Sequence, residues 1–457
     1  MKMLFVMNST DKYFYAGIAA MSAMLRKHGH ETKLINYDSR YNPQLFIEEV
    51  KAYDPGLVGF TVLSYQWPTI QDLLRLVKEN TDYRTICGGY HVSFAEETVI
   101  LNPHVDYICK GEGDHALLDL IDALENDKPD TNIPNIWKKV KGPDGRPVIH
   151  RNEMRPLPME MDELPDWDRQ IFPLDTLLQT EVLLSYIHAK RTMPVAAGRG
   201  CPYTCSYCAN AALLKMYKGL GKFVRRRTVP RLMEELESLV ERFEIDQFEF
   251  WDEDFFAISR PWLEEFFSEY KKRIPVPFMI GARADNAGDR NLEMAADAGC
   301  YLICMGIEHG DEEFRDKVLD RKMNNGKIER AFATARNLGM QRAALNIIGF
   351  PGETPAMVMK TLQLNQTIDP DYFHFFIYQP FLGCDLYEVT KELGYLPNLR
   401  YSVYQKPEGA LIQPSLTIDQ IKECWEHYSG FQEEVDRRRS LRFKREGERD
   451  PRRAVCR

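Results

Sequence analysis

No stretch of this chain stays apolar for the ~20 residues that a membrane-spanning helix requires. The start, MKMLFVMNSTDKYFYAG, has one short apolar run and then polar residues, which makes neither a signal peptide nor a span. Positive charge is not in excess: 59 Lys and Arg stand against 68 Asp and Glu, so there is no general pull toward nucleic acid or an anionic membrane. The strand-end loops of the first 130 residues lack the GxGxxG of dinucleotide sites, and KGEGD (Lys110–Asp114) holds only GxG. Cysteine is scarce, ten in 457 residues, which argues against a disulfide framework and for a cytoplasmic chain.

What is present is an alternation. Strand-length apolar segments (MLFVMN, TKLINYD, GLVGFTVLS, TICGG, VDYIC) are separated by segments of helical spacing (Tyr15–Lys27, PQLFIEEVKAY, TIQDLLRLVKEN and the stretch after KGEGD). This predicts an α/β fold with a doubly wound parallel sheet over residues 1–135. Ligands of such sheets bind beyond the carboxyl ends of the strands, here Asn8–Thr10, Thr61–Trp67, Gly88–His91 and Gly111–Gly113. Residues 136–190 are dense in Pro and acidic side chains and read as a linker with a small hairpin around PDG. Over 191–390 the alternation returns as about six βα units, a partial (β/α)6 barrel. Residues 391–457 read as a small, mainly helical region whose Arg-rich tail from Arg437 is a frayed helix followed by disorder. The cysteine loop, Asp252–Asp254, Arg283, Glu308–His309, Gly349–Glu353 and Gln379–Pro380 all fall at strand ends of the second region and should converge on one pocket.

Seven cysteines are scattered singly or on apolar strands and read as small buried hydrophobes. Cys300 and Cys304 among them share a strand face but stand too far apart to grip one metal cluster. The other three crowd into GRGCPYTCSYCAN, Gly198–Asn210. Three thiolates on one loop, Cys201, Cys205 and Cys208, can each hold one iron of a [4Fe–4S] cube and leave the fourth iron open. An open position is what separates a catalytic metal site from a closed one. A closed zinc site needs a fourth Cys or His; none follows within thirty residues, and the nearest preceding one is His188.

CPYTCSYC resembles the CxxxCxxC signature of the radical S-adenosylmethionine (SAM) superfamily, with Tyr207 as the aromatic residue before the third cysteine. The likeness runs from about Val195 to Leu386. It takes in WDEDFF with Asp252, Glu253 and Asp254, GARAD with Arg283, MGIEHG with Glu308, and NIIGFPGET with Asn346 and Gly349. The resemblance implies that these residues contact SAM. Their chemistry agrees, since acidic strand ends suit an ammonium or ribose hydroxyls and an Arg fork suits a carboxylate. WDEDFF also reads, without a ligand, as acidic residues leading into a helix.

An α/β domain ahead of such a barrel resembles the cobalamin-dependent branch of the superfamily. That likeness implies corrin contacts from Thr61, Ser64, Gly88, Gly89 and His91, although His91 reads equally as a helix cap. The DxHxxG motif whose His ligates cobalt is missing; the region reads NSTDKYFYAG. The methylthiotransferase branch is disfavoured, because the first domain has only Cys87 and Cys109, both on strands. The resemblance implies a cobalamin-dependent C-methyltransferase acting on an unactivated carbon of a small-molecule, lipid or peptide substrate. A flavodoxin- or ferredoxin-type protein would donate electrons, and nucleic acid is not an expected partner. A ring-forming or rearranging radical SAM enzyme and an electron-transfer iron–sulfur protein are the alternatives. The aromatics Tyr395, Tyr401 and Tyr404 are expected to close the barrel mouth.

Overall fold

The computed structural model describes residues 1–9, 14–38, 42–173, 177–178, 191–397 and 406–445. Thr10, His188, Tyr401, Tyr404 and the tail beyond residue 445 lie outside the described residues. The chain divides into two compact units. One holds the residues up to 178 together with Tyr217–Lys222, and the other the rest from residue 191.

The first unit is a seven-stranded sheet in the order β2-β1-β3-β4-β5-β6-β7. Strands β1 (Lys2–Asn8), β2 (Glu31–Tyr37), β3 (Leu57–Thr61), β4 (Arg84–Gly88) and β5 (Tyr107–Cys109) are parallel, as expected. The central strand KMLFVMN is buried along its middle, the pattern of a strand covered on both faces. Leu4, Val6, Phe46, Val58, Phe60, Leu73 and Leu74 build one core from strands and flanking helices. Local chemistry agrees with packing: Asn42 caps the helix Pro43–Tyr53 by accepting from the Gln44 N–H, and Pro43 opens it.

The hairpin forms but is not part of a linker. Strands β6 (Ile136–Lys141) and β7 (Pro147–His150) pair antiparallel and extend the sheet past β5. The parallel sheet over residues 1–135 is therefore as expected, while the start of the expected 136–190 linker is corrected to two antiparallel strands that cover the β5 edge. Trp137 enters the core, and Trp167 and Phe172 pack on Phe14 at 5.6 and 4.8 Å. Residues 136–172 thus belong to the first unit. Two short helices between β4 and β5, Tyr90–Phe94 and Glu96–Leu101, carried no periodicity long enough to predict.

The second unit has six parallel strands in the order β15-β14-β13-β12-β11-β8. They are β8 (Thr192–Val195), β11 (Gln247–Phe250), β12 (Phe278–Arg283), β13 (Cys300–Glu308), β14 (Gln341–Ile348) and β15 (Tyr372–Ile377). A two-stranded ribbon pairs β9 (Gly198–Arg199) with β10 (Arg225–Arg226). Phe250 meets Phe266 and Tyr270 of the helix Arg260–Arg273 at 5.5 and 6.4 Å. Strand alternation therefore turns Gln247 and Glu249 to the opposite, concave face.

The described residues end on the helix Ile418–Arg445, which packs Trp425 and Tyr428 on Phe375 at 4.5 and 5.1 Å. The basic run from Arg437 is not a frayed segment up to Arg445. Arg438 pairs with Asp369, Arg442 bonds Asp371 at 2.6 Å, and Arg439 is buried over the Tyr372 ring at 4.4 Å. No described helix is long and apolar enough to cross a membrane.

Candidate functional site

The loop bearing the three cysteines leaves the β9 ribbon at Gly200. That glycine has φ +90°, and a Cβ there would sit 2.3 Å from the Phe223 carbonyl, so only glycine fits. Thr204 bonds Asp320 at 2.6 Å, and Ser206 bonds the Val318 carbonyl at 2.7 Å. The Cys208 N–H closes a turn on Cys205 at 3.0 Å before the helix Ala209–Met216 begins. Cys205 is buried, and Cys201 and Cys208 are partly exposed. Their sulfurs are not gathered within 4.8 Å of one another, as three donors to one ion would be; among the described residues only His30, Asp122 and Glu125 are. Burial pushes the Cys201 thiol up to about 12 and raises Cys208, and the charge of Cys208 raises Cys201 further. A cationic cluster is the partner that would hold both as thiolates.

Two guanidiniums face Cys205. Arg283 Nη1 lies 3.4 Å from its sulfur and Arg321 Nη1 3.8 Å. The Arg283 fork itself is taken by Asp285, at 3.0 and 3.1 Å, and the ring of Tyr203 lies 3.9 Å below it. Arg283 therefore meets the cluster loop, while its expected carboxylate partner is internal. Arg321, which sequence reasoning missed, sits in a connector with no motif. It bonds the Gly306 carbonyl at 2.6 Å and stands 3.7 Å from Glu308. Glu308 adopts φ +67°, an uncommon conformation for a non-glycine residue that recurs at functional sites. Burial raises its pKa, and Arg321 and a hydrogen bond from Tyr207 counter that. Tyr207 packs edge-on to Phe350 at 5.6 Å, just past Gly349.

The acidic strand end splits by role. Asp252 is buried, accepts from the Ala197 N–H at 2.9 Å and pairs with buried Arg226 at 3.3 Å. Asp254 accepts from Asn286 at 2.6 Å, and burial lifts its carboxyl to about 6. Both hold loops together. Glu253 alone is exposed, yet protein encloses it enough to raise its pKa, and the Gly200 N–H bonds to it. Its charge acts on Cys201.

Asn346 is turned away from the loop ends: its amide pairs with Asn365 at 2.8 and 3.3 Å and reaches the His374 carbonyl at 3.1 Å. Gly349 has φ +88°, and its N–H donates to Glu353 at 2.5 Å. The other Glu353 oxygen meets His309 Nε2 at 3.0 Å, with both side chains fully buried. The His309–Glu353 pair thus clasps the end of β13 to the turn after β14. Gln379 reaches the Gly409 carbonyl at 3.4 Å.

In the first unit the expected contacts gather at the ends of β3 and β4. Ser64 Oγ meets His91 Nδ1 at 3.1 Å, and Trp67 covers the ring at 5.6 Å. Burial lowers the His91 pKa to about 4, and its Nε2 is buried with no hydrogen-bond partner. Thr61 lies beside Gly89, where a Cβ would come 2.9 Å from the Val62 carbonyl. Gly88 has room, its nearest would-be neighbour being Cys109 at 3.8 Å. Gln66, not foreseen, is buried and donates to the Asn8 carbonyl at 2.5 Å. It spans β1 and β3, where the strand order reverses and ligands of such sheets bind. A neutral imidazole whose Nε2 lacks a partner, beside the reversal where such sheets form their binding crevice, fits a bulky amide-rich cofactor such as cobalamin. Gly111 is different: Tyr217 fills its open face, its hydroxyl accepting from the Glu112 N–H at 2.6 Å.

Comparison with known proteins finds two families along the chain. The B12 binding domain family matches residues 5–121, and the radical SAM superfamily matches residues 195–364. An uncharacterized methyltransferase of Pyrococcus horikoshii is 24% identical over 412 residues, covering 89% of this chain and 84% of its own. An anaerobic magnesium-protoporphyrin IX monomethyl ester cyclase of Rubrivivax gelatinosus is 26% identical over 390 residues, covering 83% and 66%. The radical SAM methyltransferase TsrM of Kitasatospora setae, solved with tryptophan and a SAM analogue, superposes with TM-score 0.67 at 17% identity, over 87% of this chain and 77% of that one.

Proposed function

We infer that this chain, whose two halves match the B12 binding domain and the radical SAM superfamily, is a cobalamin-dependent radical SAM enzyme that transfers a methyl group from SAM to an unactivated carbon of its substrate. The observation that carries the proposal is the union of two sites in one chain: an open-ended cysteine triad with charged neighbours, and the ends of β3 and β4, where the buried Nε2 of His91 has no hydrogen-bond partner. When bound, the cluster supplies the electron that splits the SAM sulfonium, and cobalamin carries the methyl group.

Cys201, Cys205 and Cys208 hold the cluster on a loop pinned by Thr204 and Ser206. Glu253 and Glu308 would receive the SAM ammonium. Arg321 faces both Glu308 and the cluster loop, where it offsets the added negative charge. Tyr207 orients Glu308, and the His309–Glu353 clasp fixes the Gly349–Phe350 backbone beside it. In the first unit Thr61, Ser64, Gly88 and Gly89 border the corrin, and His91 offers Nε2 to an amide while Ser64 holds its ring. A flavodoxin- or ferredoxin-type protein supplies electrons.

The test needs no substrate. Anaerobically reconstituted protein carrying about four irons and cobalamin is incubated with SAM and a strong one-electron reductant. Formation of both S-adenosylhomocysteine and 5′-deoxyadenosine is the expected outcome. 5′-Deoxyadenosine alone would place ring formation or rearrangement first, as the 26%-identical cyclase allows. Neither product would leave an electron-transfer role. Untargeted metabolite comparison of a deletion strain with its parent then identifies the methyl acceptor.

A further inference from the structure

We propose that Arg283 and Arg321 set the reduction potential of the cluster by donating N–H groups to the sulfur of one ligand, Cys205. The inference rests on the cluster assignment above and concerns these two side chains alone.

The three thiols do not share one environment. Backbone N–H groups reach the outer two: that of Tyr203 bonds to Cys201, and those of Asn210 and Ala211 bond to Cys208. Cys205 faces two full positive charges instead, at 3.4 and 3.8 Å. Both arginines are about 6% exposed, so water does little to screen them. Neither guanidinium is free to swing. Asp285 takes Nε and Nη2 of Arg283 and leaves Nη1 as the donor to sulfur. The Gly306 carbonyl takes Nη2 of Arg321 and likewise leaves Nη1. Preset donors of this kind cost no reorganisation when charge arrives.

Charge arithmetic gives the direction. Asp285 and Glu308 offset the two arginines, so the surroundings are near neutral before the cysteines are counted. Three thiolates on a [4Fe–4S]2+ core carry a net −1. One electron from an external one-electron donor takes the core to 1+ and the total to −2, with no bond made or broken. Donors aimed at a ligand sulfur stabilise the reduced form and raise the potential, and charged donors do so more than neutral ones.

The test is an EPR-monitored potentiometric titration, without SAM, of the full chain and of Arg283→Lys, Arg321→Met and Arg330→Met. Arg330 pairs with Asp289 at the surface and is 75% exposed, so its variant reports the effect of net charge alone. We expect the midpoint of Arg321→Met to fall by at least the equivalent of a tenfold loss in reduction constant, 59 mV for one electron. Arg283→Lys should fall in the same direction, and Arg330→Met should match the parent. Unmoved midpoints in both site variants, with four irons retained, overturn the inference. Should a variant lose its cluster, the parent protein decides: grown with 15N-arginine and reduced, it must show arginine nitrogen coupling to the cluster in pulsed EPR, and absence of that coupling overturns the inference. A parent that binds no iron at the triad refutes the cluster assignment itself, which is a different failure.

Discussion

At the residue scale, neighbours in sequence separate by task. Asp252 and Glu253 are adjacent, yet one is locked to Arg226 and the other is open to solvent. Asp252→Ala leaves a buried arginine unpaired and should cost about 3–5 kcal/mol in stability, read from urea unfolding. Glu253→Ala should leave unfolding unchanged and weaken SAM by about 1–3 kcal/mol, read by calorimetry on the iron-loaded protein; an unaltered affinity would remove Glu253 from the site. Glu249 provides a pH test. Burial on the concave face raises its carboxyl to about 7 from the usual 4.5. Between those values the folded chain holds a proton that the unfolded chain releases, so this group's contribution to stability falls as pH rises. Each tenfold difference in proton affinity is worth about 1.4 kcal/mol. Glu249→Gln should therefore gain about 2–3 kcal/mol on the parent between pH 5 and pH 8, measured by denaturation at both. The cysteine triad stood out as a candidate from spacing alone, because cluster chemistry favours that spacing. Arg321 did not, because its role depends on where a motifless connector folds back. Asn346 misled because alternation along β14 turns it toward the helix that carries Asn365.

At the scale of elements, strand and helix positions followed the periodicity closely: PQLFIEEVKAY and RPWLEEFFSEYKKR are helices from end to end. Runs of one charge were less readable. The Arg-rich start of the tail looked solvated, but Asp369 and Asp371 at the head of β15 pair with it. Asp371 also accepts from the Arg342 backbone and side chain at 3.0 and 2.9 Å. Asp371→Ala should destabilise the second unit by about 3–5 kcal/mol. It should also open the helix Ile418–Arg445 to limited proteolysis before the strands. Equal protease resistance in parent and variant would show that apolar packing on Phe373 and Phe375 suffices to hold the helix.

At the scale of the whole molecule, the two candidate cofactor sites fall in separate compact units. The triple variant with Cys201, Cys205 and Cys208 changed to Ala should lose its iron and keep cobalamin at the parent's stoichiometry, read from iron analysis and the corrin absorbance. The corrin should also lack a histidine below the cobalt. His91, the candidate nearest the crevice, is held by Ser64 and covered by Trp67. Reduced to cob(II)alamin, the protein should show no nitrogen splitting from a lower axial base in its EPR spectrum. The order of the two units was readable from the alternation of strands and helices. The extent of the first was not: its edge strands sit in a segment whose proline content resembles a tether, and its last piece comes from beyond the cysteines.

That last piece bears on how such a gene can be rearranged. Tyr217 fills the face of Gly111, and the Leu220 carbonyl accepts from the Leu157 N–H at 2.7 Å. A crossover between residues 178 and 191 would hand the amino-terminal half to a new partner without Tyr217–Lys222, leaving the Glu112 and Leu157 amides without their acceptors. Recombination at one breakpoint is therefore penalised, and descent should carry the two halves as one block. A library of single-junction chimeras is expected to yield folded members only when those six residues travel with the amino-terminal half.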